Sequence, residues 1–173
     1  SNLIADLLDL SRIEAGRYDI QGVNVGLKLL ANRVVDSVAH KVSQKSMAVE
    51  VLVDDSVDVL ADSQALEQVL LNLVENALKY TPAGGKLCIR ASQSDARVRI
   101  EVQDNGPGIP IEHRARLFER FYRVDPGRSK EMGGTGLGLA IVKHLVGAMN
   151  GEVGMEAAEP SGSIFWLDLP KAS

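Results

Sequence analysis

Cysteine is almost missing from this chain: Cys88 is the only one among 173 residues. A single thiol excludes a disulfide framework and a cysteine-based zinc site within the chain. Aromatics are scarce at 4%, so Val, Leu, Ile and Ala must fill the core. No basic excess exists either, because 19 Lys and Arg face 23 Asp and Glu for a net charge of −4. Nucleic-acid binders carry a basic stripe or patch, so that class is disfavoured. No apolar run approaches the ~18 residues of a membrane span, and no signal peptide opens the chain. The expectation is a soluble domain of a reducing compartment, in contact with neither nucleic acid nor membrane. With 45% hydrophobic and 24% charged residues, a packed core is within reach. The length suits one domain plus an appendage.

Residues 1–16 read as the end of a helix. Leu3, Ile4, Leu7, Leu8, Leu10 and Ile13 lie at helical spacing, and Gly16 is a stop signal. With no capping box before it, this looks like a truncated element whose apolar stripe packs on something outside the chain; a short helix docked on its own domain is the alternative. Leu27 to Gln44 shows one helical period after a turn near Gly22. Met47–Val53 and Val57–Ala61 read as short strands, and Asp62 or Ser63 caps a helix that runs to about Tyr80. Two alternating segments follow, with Leu87, Ile89 and Ala91 on one face of the first and Val98, Ile100 and Val102 on one face of the second. Arg97, Arg99 and Glu101 make the other face wet. A Gly- and Pro-rich stretch from Asp104 to Thr135 holds one helical piece near Ile111–Phe118. A helix from Gly136 to Met149 and two strands close the chain. This order predicts an α+β two-layer sandwich, a mixed, mostly antiparallel sheet with helices on one face.

Three elements could carry chemistry. On the helix ending at Tyr80, the residues Asn72, Asn76, Lys79 and Tyr80 share an arc of about 100°. Asparagine is a poor helix-interior residue, so two of them one turn apart need a reason. Asn76 could offer an oxygen to a hard cation such as Mg²⁺ and Lys79 a charge to phosphate, or the face is simply solvated. Asp104-Asn-Gly-Pro-Gly-Ile109 follows a strand. Its glycines let the chain turn under a flat ligand, and Asp104 could accept from an exocyclic amine. By itself this is an ordinary turn. Gly133-Gly-Thr-Gly-Leu-Gly-Leu139 opens a helix, where backbone N–H groups can meet an anion. No Gly-Lys-Ser/Thr follows as in a Walker A loop, and Ile141 sits where a Rossmann third glycine belongs. A mobile glycine hinge is the competing reading.

Together these motifs resemble those of sensor histidine kinases. Asn72-Leu-Val-Glu-Asn-Ala-Leu-Lys-Tyr80 is similar to their N box and Asp104-x-Gly-x-Gly108 to their G1 box. Phe118-Glu-Arg-Phe-Tyr-Arg123 is similar to the F box and Gly134-Thr-Gly-Leu-Gly-Leu139 to the G2 box, all in the family's order. Asp9-Leu-Ser-Arg-Ile-Glu-Ala-Gly16 resembles the end of the family's second dimerisation helix. The resemblance implies a Bergerat-type ATP-binding catalytic domain over residues 21–173, with residues 1–20 as the tail of the dimerisation helix pair. It implies that Asn76 ligates Mg²⁺, that Asn72 and Lys79 approach the phosphates, that Tyr80 lies by the nucleotide and that Asp104 holds the adenine amine. Gly106, Gly108, Ile109, Gly134 and Thr135 are implied nucleotide contacts, and Gly136, Leu137, Gly138 and Leu139 the triphosphate cradle. A lid would span about 106–135, with Phe118 and Phe121 packing it. Arg123 is the candidate for the γ-phosphate, with Arg120 and Lys130 as competitors. Implied partners are ATP, a histidine-bearing dimerisation domain of the same parent protein and a response regulator receiver domain. The implied parent is a membrane-anchored homodimer with this domain on its cytoplasmic side, and the isolated chain a monomer.

Two departures qualify the resemblance. Related ATPases of the gyrase, mismatch-repair and chaperone type carry a water-activating glutamate four residues before the magnesium asparagine. That position here is Asn72, which cannot act as a general base. Glu75 lies about 300° around the helix from Asn72 and reads as structural. His40, His113 and His144 stand in no acceptor-like context, so the chain should bind ATP without phosphorylating itself. A nucleotide-regulated binding module, a hydrolysing ATPase and a serine/threonine kinase of the anti-sigma-factor type remain rivals. Cys88 reads as a small packed residue rather than a redox switch, and Trp166 as a reporter of core packing, not of ligand.

Overall fold

The computed structural model describes residues 3–16, 19–124 and 135–172. It begins with α1 (Leu3–Glu14), then β1 (Val23–Gly26), α2 (Leu27–Ser37), α3 (Ala39–Gln44), β2 (Ala48–Leu52) and β3 (Asp58–Ala61). Next come α4 (Ser63–Tyr80), β4 (Lys86–Gln93), β5 (Arg97–Asp104) and α5 (Ile111–Arg114). The helix α6 (Gly138–Ala148) and the strands β6 (Glu152–Ala157) and β7 (Ser163–Pro170) complete the chain.

Five strands form one sheet in the order β2-β4-β5-β7-β6. Only β2 and β4 pair in parallel; every other neighbour pair is antiparallel. The sheet is therefore mixed and mostly antiparallel, as the sequence predicts. Alternation in β4, β5 and β7 sends Leu87, Ile89, Val98, Ile100, Val102, Phe165, Leu167 and Leu169 to one buried face. Helix α4 covers that face with Leu66, Val69, Leu70 and Leu73, none more than 2% exposed. Truncating any of these three leucines to Ala costs on the order of 2–5 kcal/mol. α6 packs beside α4 through Ile141, Val142 and Leu145. Asp62 starts α4, its side chain accepting from Ala65 N–H at 2.9 Å, a cap worth about 1 kcal/mol. The same carboxylate accepts from Gln21 N–H at 2.9 Å and so ties the preceding loop to the helix start.

Four expectations are corrected. The single helix over Leu27–Gln44 is two, because Val38 leaves helical geometry with φ −109° and ψ 11°. The stretch after Gly22 contains β1, antiparallel to β3 in a separate two-stranded sheet. Trp166 lies on the open face of the large sheet rather than in the core, with the Arg99 guanidinium 4.5 Å from its ring centre. The helical piece near 111–118 is only the single turn of α5. Cys88 is half-buried on that same open face, and burial pushes its thiol pKa up, away from the reactive thiolate.

α1 rests on α6. Leu10 and Ile13 are buried, while Leu3, Ile4, Leu7 and Leu8 are 39–69% exposed. The helix thus docks on its own domain along one edge and keeps a second apolar stripe in water.

Candidate nucleotide site

A cleft of ≈ 340 Å³ opens between α4, the chain after β5 and the start of α6. Volumes of that order hold small-molecule ligands. From α4 come Asn72, Asn76, Lys79 and Tyr80, the arc singled out above, together with Glu75 and Ala77. Asn72 to Tyr80 spans about 12 Å of helix, at 1.5 Å per residue.

Asp104, 9% exposed, stands at the end of β5. Its Oδ1 accepts from Gly106 N–H at 2.9 Å, and the N–H of Ser163 on neighbouring β7 hydrogen-bonds to it as well. Burial nonetheless dominates and raises its pKa above the ordinary carboxylate value. Beside it is Thr81, the residue just past α4, whose buried Oγ1 has no hydrogen-bond partner. The Asp104 carboxylate therefore lines one end of the cleft with Ile109, Leu117 and Phe165, and the Thr81 hydroxyl lies behind it near Gly106. That end suits a flat heterocycle with an exocyclic amine.

The other end is polar and cationic. Asn72 Nδ2 donates to Gly138 O at 3.3 Å and joins α4 to the start of α6. The first turn of α6 carries backbone N–H groups without intrahelical acceptors, and Thr135, Gly136, Gly138 and Leu139 line the cleft there. Gly136 has φ +76°, and a Cβ on it would lie 2.8 Å from Phe121 Cα. Phe121 N–H donates to Gly136 O at 2.7 Å, so the segment that resembles the F box is stitched to the glycine loop. Arg123 and Lys79 supply the positive charge along this wall.

Most predicted residues meet in this one cleft. Gly106 does not line it and contributes its N–H to Asp104 instead. Leu137 does not line it either: its side chain is fully buried and its N–H is taken by Thr135 Oγ1 at 3.2 Å. Arg120 is paired with Glu14 of α1 and is absent from the cleft lining. Phe118 packs edge-on against Phe165, whereas Phe121 is 53% exposed. Lys130 and Gly134, with the middle of the expected lid, lie outside the described residues. Glu75 points its carboxylate at Lys41 Nζ, 2.8 Å away.

Sequence reasoning missed Pro107, Leu117, Tyr122, Val124, Ser163 and Phe165. Ser163 and Phe165 reach the cleft only through the antiparallel register that sets Ser163 opposite Asp104. No local pattern signals such a pairing across 59 residues. Tyr122 adjoins Arg123 in the quoted motif; its hydroxyl meets His113 Nδ1 and its ring lies under Arg116 at 4.5 Å.

The family profile described as "Histidine kinase-, DNA gyrase B-, and HSP90-like ATPase" matches residues 61–173. The sensory/regulatory protein RpfC of Xanthomonas campestris pv. campestris is 40% identical over 99% of this chain and 24% of its own length. The chain therefore spans about a quarter of this curated relative. Full-length ShkA, solved in complex with AMPPNP, superposes with a TM-score of 0.87 at 35% identity, over 99% of this chain and 35% of that one. Histidine kinase ThkA, solved with the response regulator TrrA, gives 0.78 at 25% identity, over 98% of this chain and 48% of that one.

Proposed function

This chain belongs to the histidine kinase-, DNA gyrase B- and HSP90-like ATPase family, and on that premise we propose that it is the ATP-binding catalytic domain of a sensor histidine kinase. It binds ATP and passes the γ-phosphoryl group to a histidine on a dimerisation domain, for relay to a response regulator. The observation that carries this reading is the gathering of Asn72, Asn76, Lys79, Asp104 and Gly136 around one cleft. Asp104 accepts from the adenine amine, and Lys79, Arg123 and the first turn of α6 take the phosphates. Phosphoryl transfer depends mainly on positioning and charge stabilisation, so these groups suffice once an acceptor lies in line.

Asn76 and Asn72 offer neutral amide oxygens. Among the described residues no group of three or more His, Cys, Asp and Glu could hold a metal. That donor set fits Mg²⁺, which keeps waters and takes oxygens from substrate phosphates; it would neutralise charge on the triphosphate. Transfer is favoured over hydrolysis because Asn72 is no base and the Glu75 carboxylate is committed to Lys41. Of the three histidines, His113 bonds Tyr122 and His40 is exposed on α3. His144 is 3.8 Å from Glu14, yet burial, Arg120 and Lys143 lower its pKa, so that contact is no ion pair at neutral pH. The acceptor therefore comes from outside residues 1–173. Residues 1–20 are the tail of the dimerisation helix pair, 21–173 the ATP-binding domain and about 106–135 its lid. Among the described residues no helix is long and apolar enough to cross a membrane. The parent protein is a membrane-anchored homodimer with this domain on the cytoplasmic side; the isolated chain is a monomer.

Titration calorimetry with AMPPNP and Mg²⁺ tests the site. Wild type should bind saturably and Asp104→Ala should lose at least tenfold in affinity, the loss expected for a hydrogen bond to a charged group. Labelled ATP with a supplied histidine-bearing helix pair tests the transfer. Steady phosphate release with no labelled acceptor would support a hydrolysing ATPase instead, and binding with neither outcome a regulatory module.

A further inference from the structure

We propose that Asp6 of α1 is a positioning residue for the nucleotide, acting through Thr135; the inference rests on the cleft being the ATP site. Asp6 is a carboxylate only 7% exposed, 129 residues away in sequence from its partner. Its Oδ2 accepts from Thr135 Oγ1 at 2.8 Å. A threonine hydroxyl has one proton to give and two lone pairs. With the proton fixed on Asp6, a lone pair faces the N–H of Leu137, which donates to it at 3.2 Å. Leu137 is the residue that opens α6, its side chain locked in the core. Thr135 and Gly136 line the cleft at this point. One acid on α1 therefore orients the hydroxyl that shapes the turn into the phosphate-facing helix start.

Asp6 is not what seats α1. Leu10 and Ile13 are buried beneath the helix, Gln68 donates to Asp9 at 3.4 Å, and Glu14 pairs with Arg120. Removing the Asp6 carboxylate leaves those fastenings in place. What changes is the Thr135 hydroxyl, which becomes free to rotate, so the turn at 135–137 loses its fixed geometry. A pre-organised loop binds more tightly than one ordered by its ligand. The position of α1 and the affinity for nucleotide are then linked through a single hydrogen bond.

AMPPNP with Mg²⁺ is the probe, measured by titration calorimetry on this chain. Asp6→Ala should weaken binding about tenfold, a loss in the range for a hydrogen bond to a charged group. Asp6→Asn, whose amide oxygen still accepts, should recover most of it. Asp9→Ala, which removes the α1 contact to Gln68, should stay within about twofold of wild type. Thr135→Val should lose affinity itself, and adding Asp6→Ala to it should cost little more. Wild-type affinity in Asp6→Ala, an equal loss in Asp9→Ala, or losses that add in the double variant would each overturn the proposal. Amide exchange at Leu137 is read in parallel without ligand and should quicken in Asp6→Ala. If wild type binds no nucleotide, the functional reading fails; quickened exchange would still support the Asp6 link to the turn, and unchanged exchange would sink it as well.

Discussion

Asp104 is held in a conflict between two surroundings. Burial favours its neutral form, while the N–H groups of Gly106 and Ser163 favour the charged one, and burial wins. The unfolded carboxyl thus ionises at lower pH than the folded one. Between those two values the folded state holds the extra proton, so this group's contribution to stability rises as pH falls. Recognition of an amine runs the other way, because the protonated carboxyl gives up acceptor capacity. Nucleotide affinity should therefore start to fall on acidification at a higher pH than an ordinary aspartate would give. Calorimetric titration with AMPPNP over a pH series checks this, with Asp104→Asn as the reference whose profile lacks that step. Coincident profiles for the two proteins would mean that another group governs the pH response.

At the scale of elements, the turn between β6 and β7 closes the site from behind. Gly162 has φ +108°, and a Cβ there would lie 1.9 Å from the carbonyl oxygen of Asp104. Gly162→Ala should cost more than about 2 kcal/mol, from backbone strain and the forced shift together. Gly147, inside α6, faces open space, so Gly147→Ala should stabilise by roughly 0.5–1 kcal/mol. Urea denaturation of both variants separates the cases, and equal effects would contradict the geometry. The same contrast explains what was legible in the sequence. Helices α4 and α6 and the β4–β5 hairpin announce themselves because their apolar residues repeat over eight residues or more. β1 has four residues and buries only Val25, too short for a period to show, and its partner lies 35 residues on. The break at Val38 carries no glycine or proline. Trp166 was open to a better reading, since it shares the phase of Asp168 and not that of Phe165, Leu167 and Leu169. The α4 arc, Asp104 and the glycine loop were legible because their chemistry needs unusual residues at set spacing; Ser163 and Phe165 were not, because ordinary strand residues reach the cleft by register alone.

Over the whole molecule, charge is arranged unevenly about α4. A second, wider groove between α1, α2 and α4 gathers Asp6, Asp9, Asp19, Asp62, Glu67 and Glu75 with Arg12, while the first cleft balances Glu75 and Asp104 with Lys79 and Arg123. In a chain of net charge −4 the groove therefore repels a polyanion more strongly than the charge-balanced cleft does. The layers are uneven too, since among the described residues the large sheet carries helices on one face only. The chain's single tryptophan stands on the uncovered face, its indole lying across Gly154 and capped by Arg99. The cleft opens on the opposite side. Tryptophan emission should then follow global unfolding and stay constant as AMPPNP saturates the cleft, a result that ligand-dependent emission would refute. One optical signal would serve as an internal standard: any drift in it during a titration measures loss of folded protein, and the fraction of sites filled can be corrected for that loss in the same cuvette.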